Sequence, residues 1–231
     1  MSSFSRDGKT VLLPEPKPRA YPDPQFVALN PIELRDKLDK HGVWLASNHR
    51  EGERASFFST SLSCADFDGV DLRFCSFVRA DLRGACLRRS NLSCADFNGA
   101  DLRYADLSGA TAHKTSFVSS DCQEARFREA DLRDAFFMYA NLEAASFLAA
   151  DLRSKHFCDN AARNADFRKA RIDGLDLRSW FLSQPQLKEA RGSGDTLLSD
   201  GLTFLSSMDP GVVLCWENGK LKRSIGSDTT S

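Results

Sequence analysis

Four histidines and a recurring series of aspartates are the side chains that could move protons in this chain. The histidines are His41, His49, His113 and His156. Acid–base work needs two such groups within hydrogen-bond reach of one reacting atom. His49 stands in Asn48-His49-Arg50-Glu51-Gly52-Glu53, which holds the ingredients. That composition is also what a polar lead-in loop requires, and the loop reading is preferred. His41 falls near the end of an expected helix and is taken as a polar cap residue. Asp66, Asp81, Asp96, Asp101, Asp106, Asp131, Asp151 and Asp166 all occupy one slot of a five-residue repeat. A fixed slot suits hydrogen bonds from side chain to turn backbone better than it suits paired catalytic carboxylates. Seven cysteines are present, with no Cys-x-x-Cys pair and no Cys/His cluster at metal spacing. Phosphate-binding, dinucleotide, zinc and nucleophile-elbow motifs are missing as well. The sequence therefore nominates no catalytic, cofactor-binding or metal residue, and the expectation is a protein that is not an enzyme.

The slot occupied by those aspartates belongs to a period that runs through more than half of the chain. Every fifth residue from Phe57 to Leu182 lies on one register, and 23 of these 26 positions are Leu, Phe or Ile. Ala112, Cys122 and Ala162 are the exceptions. Two residues before each centre stands a small side chain, commonly Ala, as in Ala80-Asp81-Leu82-Arg83-Gly84. A period of five matches neither a helix nor a straight strand. In an extended chain the small residue and the centre point the same way, but the next centre points away. One bend per repeat restores the direction, and four right-angle bends close a coil of 20 residues. Stacked coils then pair as in a solenoid.

Sorting the centres in steps of 20 tests the number four. One class is Phe57, Phe77, Phe97, Phe117, Phe137 and Phe157. Another mixes Phe67, Leu87, Leu107, Phe127, Phe147 and Phe167. An unbroken Phe class predicts a ladder of rings down one wall. Lys155 and Asn160 fall in slots that call for a small inward residue, so a bulge or irregular turn is predicted between Lys155 and Ala162.

The units from Ala55 to about Leu182 resemble the pentapeptide repeat family, with its Ala-Asp/Asn-Leu-X-X motif. The resemblance implies an all-β solenoid, a right-handed quadrilateral β-helix of about six and a half coils, with short helical caps at both ends. At roughly 4.8 Å per coil the tube would be on the order of 30 Å long.

Around this tube, residues 1–29, rich in Pro, read as an extended or flexible arm, and 30–54 as a helical cap and lead-in. Asn30-Pro31-Ile32-Glu33 carries an N-cap, a first-turn Pro and a capping-box Glu, and Gly42 is the expected stop just after His41. Residues 183–223 read as a second cap, with a helix from Pro185 to about Arg191 and a hairpin around Asn218-Gly219. Trp180, Leu187 and Trp216 are the candidates to cover that end, and 224–231 reads as a disordered tail.

Outward positions beside the Phe ladder are unusually apolar. Phe58, Val78, Val118, Phe136, Met138 and Tyr139 form the candidate interaction strip, whereas other walls carry Arg83, Arg103 or Arg133 in the corresponding slot. Such a strip marks a surface that something covers: a protein partner, a second copy as a homodimer, or the Pro-rich arm. The favoured reading is a rigid scaffold for protein–protein interaction, its partner unnamed. The family resemblance also implies an alternative, a DNA-mimicking regulator or protector of DNA gyrase or topoisomerase. Between Ala55 and Leu182, however, 18 acidic residues face 17 basic ones, which argues against a phosphate-like field. Interleaved charges also argue against direct nucleic-acid binding. A uniform tube offers no cleft for a small-molecule substrate. No apolar run reaches the roughly 18 residues of a membrane span. An N-terminus without an apolar leader and an odd number of cysteines lead to the expectation of a cytoplasmic, bacterial-type protein.

Overall fold

Backbone bridges in the computed structural model join residues 20 apart, always in parallel. Ser56 pairs with Ser76, Ser61 with Asp81, Asp66 with Cys86 and Asp71 with Asn91, so the first coil carries four bridges, one per wall. The same step continues through Asp151 with Arg171 and Arg171 with Arg191. The structure describes residues 3–4, 10–11, 26–154, 156, 162–177, 184–187, 189–192, 196, 212–217 and 220–225.

Each corner is a tight turn. In the unit around Phe77, the Ala80 N–H donates to the Phe77 carbonyl at 3.0 Å while Arg79 holds φ at 56°. A positive φ at the third turn residue is the type II pattern. Gly99 and Gly109 adopt it freely, but Arg89, Lys114 and Glu124 adopt it too. For side-chain-bearing residues that conformation costs about 1 kcal/mol, and the stacking of coils offsets it.

Inside the tube the described centres are buried, and so are the small residues that precede them apart from the half-buried Ala65. Phe57, Phe77, Phe97, Phe117 and Phe137 stack with centroids 4.6 to 5.2 Å apart. A second stack on another wall joins Phe127, Phe147 and Phe167 at 4.9 and 5.0 Å. Rings of the two stacks meet edge to face, as Phe127 does with Phe137 at 5.6 Å, a favoured arrangement of ring quadrupoles. Phe157 lies outside the described residues. Cys75 and Cys122 occupy inward positions with no exposure, and burial pushes both thiols up to about 12.

In chain order, β1 (Ser3–Phe4) pairs antiparallel with β2 (Thr10–Val11). Strand β3 (Val27–Ala28) pairs in parallel with β4 (Thr60–Ser61), so the last residues of the stretch read as an arm lie on the first coil. Helix α1 spans Pro31–Ala46, and the expected capping box is formed: Asn30 Oδ1 accepts from Glu33 N at 2.9 Å, and Glu33 Oε2 from Asn30 N at 3.0 Å. Leu34 and Leu38 pack against the core.

Several expectations are corrected. Gly42 does not stop α1, which continues to Ala46 and ends at Ser47. A helical glycine costs only about 1 kcal/mol relative to Ala. Packing outweighs that: Trp44 stacks on His49 at 3.9 Å and meets Phe74 edge-on at 6.0 Å. The helix expected from Pro185 to Arg191 is a 3-10 helix at Gln184–Leu187. The coil register then resumes, because Leu187 is five residues past Leu182; Ile172 N–H donates to the Arg191 carbonyl at 2.7 Å. The hairpin is present as β5 (Val212–Glu217) and β6 (Lys220–Ile225), so Ser224 and Ile225 belong to a strand rather than to a tail. Most of the stretch where a bulge was predicted, 155–161, lies outside the described residues. Just before it, Ser154 departs from the repeat: it is buried, and its Oγ donates to the Ala135 carbonyl at 2.8 Å. Trp180, the Trp216 side chain and residues 226–231 also lie outside.

Candidate functional site

The turn aspartates are held locally. Oδ1 of Asp66, Asp96 and Asp106 accepts the N–H two residues on, at 3.0 Å in each case. Where Arg follows at that position, the same carboxylate also takes the guanidinium through Nε and Nη2. Asp71 with Arg73, Asp101 with Arg103, Asp131 with Arg133, Asp151 with Arg153 and Asp166 with Arg168 share this geometry. On one wall the pairs link vertically: Arg83 bonds Asp81 and reaches Asp101 at 3.5 Å, and Arg103 reaches Asp121 at 3.5 Å. Asn141 Nδ2 continues the series to Asp121 at 3.0 Å. Arg133 hydrogen bonds hold the Asp131 carboxyl below the ordinary carboxylate range, and Arg89 does the same for Asp68. Asp68, Asp71, Asp81, Asp101, Asp131, Asp151 and Asp166 are thus occupied by cations from their own chain.

The histidines do not converge. His113 Nε2 lies 3.1 Å from Asp134 Oδ2 on one wall. His156 stacks on Phe136 at 4.3 Å on another. His49 is exposed and lies against Trp44. Among the described residues no group of three His, Cys, Asp or Glu is placed to hold a metal ion. No helix among them is long and apolar enough to cross a membrane. His41 differs from the cap residue expected: it is 1% exposed and turned inward between α1 and the first coil.

The six strip residues all lie on the wall that carries the longer Phe stack. Phe58 and Tyr139 are 54% and 64% exposed, while Val78, Val118, Phe136 and Met138 are half-buried. Asp96, Asn98 and Gly99 interrupt the series in the third coil, where Ser116 Oγ donates to Asn98 Oδ1. The strip is thus two patches, Phe58 with Val78 above and Val118, Phe136, Met138 and Tyr139 below. Arg79 and Asp96 are the only formal charges among the outward positions of this wall from Ser56 to Tyr139. His156, on Phe136, extends the lower patch; its 20-residue spacing from Phe136 was the signal available for it.

The profile of the family Pentapeptide repeats matches residues 53–89, 87–118 and 120–154, with eight copies. No curated protein matches the chain. Among solved structures, a trypsin-treated variant of QnrB1, a plasmid-mediated fluoroquinolone resistance protein, is 20% identical, over 68% of this chain and 80% of that one, with a TM-score of 0.51. At that identity the likeness is one of fold. HetL from the cyanobacterium Nostoc, involved in heterocyst differentiation regulation, is 21% identical over 78% of this chain and 95% of its own, with a TM-score of 0.29. A pentapeptide repeat protein of the Arabidopsis thaliana thylakoid lumen is 27% identical over 47% and 69%, with a TM-score of 0.25.

Proposed function

This chain is a pentapeptide repeat protein, a right-handed quadrilateral β-helix, and we propose that it is a non-enzymatic scaffold whose weakly charged wall docks another protein. A rod of about six and a half stacked coils presents its side chains at fixed spacing with little entropy left to lose on binding. The observation that carries the reading is the contrast between walls. On the wall of Arg83 and Arg103 the residues Asp81, Arg83, Asp101, Arg103 and Asp121 are tied into ion pairs, which are costly to desolvate. On the strip wall Phe58, Val78, Val118, Phe136, Met138 and Tyr139 meet solvent with two charges nearby. The partner that fits is a protein presenting a flat, uncharged, apolar face.

The double variant Val118→Lys, Met138→Lys tests this. Both side chains are only half-buried and turned outward, so folding and the circular-dichroism spectrum should stay unchanged. Partners captured by the parent protein, or its mass in solution if the partner is a second copy, should be lost. Unchanged partners and unchanged mass would overturn the reading.

The gyrase-protecting alternative comes from the family resemblance, and the likeness to QnrB1, at 20% identity, adds the fold alone. A mimic of DNA needs free negative charge, whereas Asp71, Asp101, Asp131, Asp151 and Asp166 each hold an arginine. We expect micromolar protein to leave gyrase supercoiling, and its poisoning by a fluoroquinolone, unaltered. Protection of supercoiling would favour the alternative.

A further inference from the structure

Beside the apolar packing of Leu34, Leu38 and Trp44, helix α1 is held onto the first coil through a histidine that can accept a hydrogen bond only while it is neutral. His41 Nδ1 accepts the Ala55 N–H at 3.3 Å, and Ala55 is the first inward residue of the repeats. Its ring lies parallel to Trp44, with centroids 5.6 Å apart. Its Nε2 is buried and makes no hydrogen bond of good geometry, although the Arg73 backbone lies near enough to favour a proton on the ring. The remaining polar contact between helix and coil is weak, an exposed Lys37 Nζ donating to the Ser56 carbonyl at 3.3 Å.

We propose that α1 is a proton-released cap: protonation of His41 undocks the helix and uncovers the open end of the β-helix. A proton on Nδ1 removes the acceptor of the Ala55 N–H and sets two donors against each other. It also places a cation in a site already walled by hydrophobic groups. Charged neighbours come from three elements. From the first coil, Asp71 favours the protonated ring and the Arg73 side chain opposes it; from the lead-in, Arg54 opposes it. Within α1, Lys40 is paired with Asp36 at 2.8 Å on the solvent side. The Cys75 thiol, pushed up to about 12 by burial, stays neutral. Burial outweighs the help from the Arg73 backbone and Asp71, so the His41 ring is shifted down from its ordinary value. A base with a lowered folded-state pKa contributes full docking strength above the unfolded value of about 6.5. That strength falls as the pH drops from there and reaches its floor below the folded value.

What undocking exposes is the upper edge of the first coil around Ala55 and Phe57, an unpaired β edge of the kind that recruits another strand. The cap would thus couple acidification to association through the end of the tube. This mechanism is independent of the docking wall.

Amide hydrogen exchange at pH 7.5 and 5.0, corrected for the intrinsic rate, tests it on the full chain. Protection of residues 32–46 should be lost at pH 5.0 while that of the coils beyond Ser76 is kept. In His41→Gln, whose side-chain oxygen can accept from Ala55 without titrating, helix protection should be equal at both pH values. His49→Gln removes a ring that packs on Trp44 and can lower the protection overall, but it should keep the parent's loss of protection between the two pH values. Protection in the parent that does not change with pH, or pH-dependent loss that survives in His41→Gln, would overturn the proposal. Should the Gln variant fail to dock at pH 7.5, imidazole nitrogen NMR on the parent decides. A His41 ring titrating at or above the ordinary value, or carrying its neutral proton on Nδ1, would equally overturn it.

Discussion

Two aspartates in the same slot of the repeat do different work. The Asp81 side chain is 1% exposed beneath Arg83, itself 16% exposed, whereas Asp71 and Arg73 are 44% and 41% exposed. Removing one partner of a buried pair strands the other, while an exposed pair is screened by water. Asp81→Asn should therefore destabilise by about 2 kcal/mol, and Asp71→Asn by less than about 1 kcal/mol. Denaturant midpoints of the two variants measure the difference, and equal midpoints would contradict the burial argument. The repeat signature cannot separate these residues, since both read as polar turn positions. Their difference arises one coil away, where Arg83 bridges to Asp101 and closes over Asp81.

At the level of single elements, α1 shows where local signals end. The capping box at Asn30 and Glu33 was legible, because a cap is a contact between near neighbours. The far end was not, because Trp44 continues the helix to reach Phe74, a residue of the first coil. Gly42 is an exposed interior position with open space where a Cβ would stand. Gly42→Ala should accordingly stabilise by about 0.5–1 kcal/mol, read as a raised unfolding temperature. A loss of stability would mean that the glycine is needed there. A similar lesson comes from Pro185, which as a helix opener outweighed a register that Leu187 had kept. The bridge from Arg171 to Arg191 shows that register winning, since a paired coil edge satisfies backbone groups that a short helix would leave open.

For the whole molecule, the square coil was legible because 20-residue spacing of phenylalanines is a property of the sequence, and Phe77, Phe97 and Phe117 do stack. The break in the apolar strip was visible as Asn98 yet was passed over, because its effect depends on the hydrogen bond from Ser116 across the rung. The repeated Asp–Arg pairs also set the response of the tube to acid. Asp68, Asp71 and Asp131 have carboxyls held below the ordinary range: by Arg89 for Asp68, by Arg73 against an opposing burial effect for Asp71, and by Arg133 for Asp131. Their contribution is complete above the unfolded value of about 3.9 and is lost as the pH falls through the lower folded values. Melting temperature should thus be insensitive to these groups above about pH 5 and decline below about pH 4. Melting curves between pH 7 and 2.5 would show it, and a decline absent below pH 4 would remove the role given to the pairs.

Because partners stand twenty residues apart, the tube can change length only in phase. Excising one five-residue unit ahead of Phe136 would swing everything downstream through a quarter turn. Tyr139 would then stand on the face now held by Asp134, and its ring would leave Phe58 and Val78 behind. Excising four units would shorten the rod and keep every face aligned, so natural or designed variants of this chain should differ in length by whole circuits.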